Sequence, residues 1–149
     1  MKKLAWIVVL VGIIGLIAGM GGYVARYRLL RHWFEGSPSV RLSNVQVTRY
    51  GEKPFLFNDT NVLQALNFAI RRKTFISSGL GESVHAKLKL NGVWSDQLVL
   101  CWDEQRFVVG IPSTMDPLGA EFEWSEVPVG AEILQTIQKV VRAESNASK

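Results

Sequence analysis

Residues 4–25, LAWIVVLVGIIGLIAGMGGYVA, pass without one charged side chain. A helix of that length rises about 33 Å, enough to cross the hydrocarbon core of a bilayer. From residue 35 onward, apolar and charged residues mix as in an ordinary globular domain. The expectation is therefore one membrane anchor and one small domain, which excludes a channel or transporter built from many spans.

A basic start, MKK, ahead of an apolar run also describes a secretory signal. Two features favour an uncleaved anchor. The run exceeds the usual 7–15 residues of a signal's apolar core, and it passes into bulky, basic RYRLLRHWF where a small-x-small cleavage site would be needed. Lipidation is excluded as well, because Met20 stands where a lipoprotein signal requires cysteine. Orientation is contested, because Lys2 and Lys3 with the terminal amine oppose Arg26, Arg28 and Arg31. A very short N-terminal tail usually stays in the cytoplasm, so the C-terminal part is expected on the extracytoplasmic side.

Charge follows the anchor. The whole chain has a formal net charge of +4, yet Lys2, Lys3, Arg26, Arg28 and Arg31 precede any acidic residue, which leaves the remainder at −1. The basicity thus belongs to the membrane flanks, and no basic stripe interleaved with aromatics points to nucleic acid. Trp6 at one end and Tyr23, Arg26, Tyr27, Arg28, Arg31 and Trp33 at the other are expected at the two headgroup layers. Gly12, Gly15, Gly19 and Gly22 fall on one stripe of the span, and Gly15 and Gly19 form G-x-x-x-G. Such a stripe lets a second helix approach closely, so a like helix or a partner is expected there, and a homo-oligomer through the span is one form of it.

The organisation expected is a basic tail over 1–3, a transmembrane helix over 4–25, a juxtamembrane segment and linker over 26–39, a domain over 40–143 and a disordered tail over 144–149. In the juxtamembrane segment, Leu29, Leu30, Trp33 and Phe34 make an apolar side that would lie in the interface until Gly36, Ser37 and Pro38 end the helix. In the domain, VRLSNVQVTRY reads as a strand, with Leu42 out of phase with Val45 and Val47 and a bulge between them. FLF returns after a turn. Asn58, Asp59 and Thr60 offer caps for a helix that buries Val62, Leu63, Leu66, Ala69 and Ile70 and ends in Arg71, Arg72 and Lys73, where the helix dipole favours cations.

After a flexible ISSGLGES, Val84, Ala86, Leu88 and Leu90 alternate with polar residues up to Asn91-Gly92, a tight hairpin turn. Leu98, Leu100 and Trp102 then share one face, with Val99 and Cys101 on the other, and RFVVGI completes a meander. EFEWSEV reads as a strand with Phe122, Trp124 and Val127 opposite three glutamates on a wet face. The stripe Ile133, Leu134, Ile137, Val140 and Val141 closes the domain with a helix. Two amphipathic helices on one antiparallel sheet of about four to six strands make a two-layer α+β domain.

Chemistry is sparse. No nucleophile elbow, P-loop or H-E-x-x-H occurs, and the glycines at 79 and 81 precede a strand, so no catalytic, cofactor-binding or metal-ligating residue is assigned. Cys101 is the only cysteine; His85 would fall opposite Ser95 or Gln97, too far for a thiol–imidazole pair. Asn58 and Asn146 match the glycan acceptor pattern. The loop GIPSTMDPLGA, with Pro112, Met115 and Pro117, is the expected partner-contacting loop, and a free sheet edge is the other candidate surface. The function expected is a single-pass, membrane-anchored accessory or assembly subunit that binds a protein partner. The alternative is a membrane-bound hydrolase with a site of dispersed residues.

Overall fold

The computed structural model describes residues 2–48, 53–113 and 121–147. Its first element, α1 (Lys2–Phe34), carries the apolar run and continues without a break into the domain. It stops in a Schellman turn: Gly36 N donates to Trp33 O and Ser37 N to His32 O, with Gly36 at φ +80°. A side chain at Gly36 would also meet the Arg71 backbone at 3.2 Å.

The chain then forms β1 (Leu42–Thr48), β2 (Phe55–Phe57), α2 (Thr60–Ala69) with a 3-10 turn over Ile70–Arg72, and β3 (Thr74–Ile76). A meander of β4 (Glu82–Leu90), β5 (Val93–Trp102), β6 (Phe107–Pro112) and β7 (Phe122–Val127) follows, and α3 (Ala131–Ala147) ends the fold. All strands pair antiparallel in one sheet of order β2-β1-β4-β5-β6-β7-β3. The class is α+β, as the sequence predicts. The sheet has seven strands where four to six were expected. The additional strand, β3, begins directly after the basic end of α2 and is only three residues long.

Local chemistry accounts for the elements. Asp59 caps α2 by accepting from Val62 N at 3.0 Å, and Val62, Leu63, Leu66, Ala69 and Ile70 are all buried. Asn91 and Gly92 take φ of 48° and 83°, the conformation of a type I′ hairpin. The expected bulge in β1 falls between Leu42 and Asn44. A second one was not anticipated: β5 carries an extra residue opposite Lys87–Lys89, where the buried Ser95 hydroxyl accepts from Leu88 N at 3.0 Å. From the Leu90–Val93 register His85 would oppose Leu98, and the bulge moves it one residue on, to Val99, where Ser95 or Gln97 was expected.

One face of the sheet holds the main core. Leu88, Leu90, Leu98, Leu100, Trp102, Phe107 and Val109 pack there against Val62 and Leu66 of α2 and Leu134, Ile137 and Val141 of α3. Leu30, Trp33 and Phe34 of α1 join the same cluster at 2% exposure or less. The expected boundary at residue 40 therefore moves: the domain takes in the last two turns of α1. Those side chains are covered by protein where an interfacial helix would rest them on lipid. The opposite face carries a smaller cluster, Val99, Cys101 and Val108, roofed by Phe122 and Trp124. A Cβ at Gly79 or Gly110 would meet the Trp124 ring at under 3.0 Å, so both glycines are seats for the indole. At the C-terminus, α3 runs through Ala147, into what reads from sequence as a tail.

Candidate membrane-proximal interface

Three contacts fix how α1 meets the sheet. Tyr27 Oη donates to Pro112 O at 2.9 Å, Arg31 Nη1 lies 2.7 Å from Glu123 Oε2, and the Phe34 ring packs edge-on to Phe75 with centroids 6.3 Å apart. Pro112 pairs with Phe122, Ile111 with Glu123, and Phe75 with Ser125. At its other side the end of α1 is held near β1 and the β4–β5 hairpin, through Trp33, Asn67 and Leu42 and through the Asn91 bonds to Arg41 N and Ser39 O, so the helix crosses the strands near one end of the sheet.

Beyond Pro112 the strand pair continues for one more step, with Ser113 N donating to Glu121 O at 2.9 Å.

Polar contacts lock the junction. Arg31 also reaches Glu35 Oε1 at 2.9 Å, so one guanidinium ties α1 to itself and to β7. On the other side, Asn67 of α2 accepts from Trp33 Nε1 at 3.2 Å and from Leu42 N at 2.8 Å, and donates to Leu42 O at 3.0 Å. Two interfacial assignments are corrected by this geometry. Trp33 is enclosed in the domain, and Arg31 is turned toward carboxylates of its own chain. Glu123 is likewise no wet-face residue: it shares the helix-covered face with Ser125 and Val127, while Phe122 and Trp124 lie opposite. Nothing in the sequence marks Asn67 or Glu123, because each matters only through the partner that the fold brings to it.

The remaining predicted positions are laid out simply. Trp6 and Tyr23 are exposed on α1, as are Arg26 and Arg28, which make no ion pair among the described residues. Along Gly12, Gly15, Gly19 and Gly22, nothing stands within 4 Å of where a Cβ would be, so the stripe is open. Pro112 ends β6; Met115 and Pro117 lie outside the described residues.

A second surface surrounds β3, the free edge of the sheet at that end. Phe75 is 69% exposed and Phe68 58%. Between them in sequence stand Arg71, Arg72 and Lys73, none ion-paired among the described residues. Arg72 lies over the Phe68 ring at 4.6 Å, and Lys73 over Phe34 at 4.9 Å and Phe75 at 5.7 Å. Burial pushes the Lys73 ammonium below its ordinary value, against the pull of Glu35.

Cys101 is enclosed, and burial pushes its thiol up, away from the reactive thiolate. Inside the main core, an apolar gap of about 20 Å³ is lined by Val45, Phe57, Trp102 and Ile137 among others. That is space for one water at most, with too few polar partners to hold it. Among the described residues, no group of three or more His, Cys, Asp or Glu is placed to hold a metal ion. Comparison with protein-family models, with curated proteins and with solved structures finds no match to this chain.

Proposed function

We propose that this chain is a single-pass membrane protein whose domain acts by binding a protein partner, as an accessory or assembly subunit held at a set height above the bilayer. The observation that carries this reading is the unbroken α1: one helix is long and apolar enough to cross a membrane, and its last turns belong to the domain's core. A flexible linker would only raise local concentration. A helix whose end is packed into the domain also fixes height and facing, which favours assembly with another membrane component.

The same feature bears on the signal-sequence alternative. Removal of α1 through Phe34 would strip Leu30, Trp33 and Phe34 from the core, each loss costing about 2–5 kcal/mol. The side of the membrane stays as argued from sequence, with the domain extracytoplasmic.

The partner surface best supported is the β3 edge with its rim of Phe68, Arg71, Arg72, Lys73 and Phe75. Its cations suit acidic side chains, and its rings and open edge suit an extended segment laid alongside. Dipole compensation explains cations at the end of α2, but it does not explain two exposed phenylalanines beside them. The test is affinity purification of the full-length protein from its native membrane in mild detergent. A protein that accompanies the wild type and is lost from Arg71→Glu/Arg72→Glu/Phe75→Ser supports the reading. Recovery of the wild type alone, as a monomer, counts against it.

A further inference from the structure

We infer that the open face of the sheet, over β1, β4 and β5, is a binding surface for an acidic polysaccharide. It lies opposite the face that carries α2 and α3, and it needs neither the β3 rim nor any one side of the membrane. The alternation of β4 builds it. Val84, Ala86, Leu88 and Leu90 go into the main core, so His85, Lys87 and Lys89 stand in a row on the other side, about 6.8 Å apart. A sheet can offset such cations with a carboxylate directly across the strand pair. Here every cross-strand neighbour is neutral: Gln46 and Gln97 flank Lys87, Asn44 and Trp94 flank Lys89, and Thr48 and Val99 flank His85. Neither lysine is ion-paired among the described residues, whereas Arg31, Arg106 and Arg142 each hold a carboxylate.

The groups around the lysines select the kind of anion. Trp94 is half-buried beside the row, with the Lys89 ammonium 5.9 Å from its ring centre, so a flat apolar surface and a cation stand together. A sugar ring has apolar C–H faces that lie on an indole, and hydroxyls that both donate and accept. The amides of Gln46 and Gln97, on either side of Lys87, do the same. A uronic acid adds the carboxylate that the lysines take. From His85 to Lys89 the row is about 13 Å long, enough for more than one ring. An acidic peptide fits less well, because an extended backbone needs its own N–H and C=O groups met, which a strand edge does and a sheet face does not. A single-stranded nucleic acid calls for successive aromatic platforms, and among the described residues Trp94 is the one ring on this part of the face.

The experiment reads Trp94 directly. Full-length protein carrying fluorotryptophan is held in a polyoxyethylene detergent, which brings neither sugar nor charge, at about 0.15 M salt. Its fluorine spectrum is titrated with a galacturonate hexamer and, separately, with a hyaluronan hexasaccharide, and Trp94→Phe assigns the resonance. The expected result is saturable movement of the Trp94 signal by at least one of the two. Lys87→Glu/Lys89→Glu should weaken that binding about tenfold, the loss of two partly exposed charge pairs, and so should methyl esterification of the sugar carboxylates, which keeps the ring faces. Lys87→Gln, at an exposed site, replaces the double variant if that one does not fold, with an expected loss of about threefold. A Trp94 signal unmoved by both acidic sugars overturns the proposal, as does equal binding of the ester. Binding that survives Lys87→Glu/Lys89→Glu but is lost from Arg71→Glu/Arg72→Glu places the anion on the β3 rim and also overturns it. Tighter binding of a thymidine hexanucleotide than of either sugar overturns it in favour of a nucleic-acid surface.

Discussion

Asn67 is one amide on which three elements converge. Its oxygen takes the Trp33 indole N–H of α1 and the Leu42 N–H of β1, and its nitrogen serves the Leu42 carbonyl. Replacing it with leucine leaves all three groups without a partner in a half-buried site, for an expected loss of about 2–4 kcal/mol. Gln64→Leu, exposed on the same helix, should stay within about 0.5 kcal/mol of wild type. Thermal unfolding of the full-length protein in detergent, followed by tryptophan fluorescence, compares the two; equal melting temperatures would mean that the amide holds nothing together. Residues of this kind are the ones a sequence conceals. The capping role of Asp59 and the turn at Asn91-Gly92 are legible because they act on their own neighbours, within three residues. Asn67, Glu123 and Ser95 act across 25, 92 and 7 positions of chain, and no local pattern encodes the partner.

At the scale of elements, periodicity located both amphipathic helices of the domain and six strands. The strand it did not find, β3, has three residues and no alternation long enough to read. Parity misled once. In EFEWSEV the tryptophan and phenylalanine read as core, but they cover the smaller cluster on the other face, while Glu123 goes to the helical side because Arg31 is waiting there. The juxtamembrane segment is the larger lesson: Leu30, Trp33 and Phe34 have the spacing of an interfacial helix and of a core helix alike, and only the sheet beneath them decides. Upstream, the glycine stripe of α1 makes a separate prediction. With nothing near Gly15 or Gly19, leucine at both positions can be accommodated within the lone helix, so the fold and melting temperature should be unchanged. A helix that packs on this stripe would be held off by the new side chains. Crosslinking of the full-length chain in detergent micelles should fall from a dimer band to background in Gly15→Leu/Gly19→Leu, and an unchanged yield would remove the stripe as a contact.

For the whole molecule, the continuity of α1 turns a question of function into one of geometry. If height and facing matter, the helix between lipid and domain is a shaft, and residues added to it rotate the domain by about 100° and lift it by about 1.5 Å each. Two alanines inserted after Ala25 turn the domain through about 200° and raise it about 3 Å, while every contact from Tyr27 onward moves as one body. Seven alanines give nearly two full turns, restoring the facing to within about 20° but raising the domain about 10 Å. Both variants should melt with the wild type, since no core residue is disturbed. A partner held by a rigidly presented β3 rim should be lost from the two-residue variant through misfacing and from the seven-residue variant through height. An insertion of Gly-Gly-Ser-Gly-Gly at the same place, which breaks the shaft, should recover a fraction of binding that neither alanine insert does. Full partner recovery with all three inserts would mean that the domain is merely leashed, and that the packing of Leu30, Trp33 and Phe34 serves stability alone.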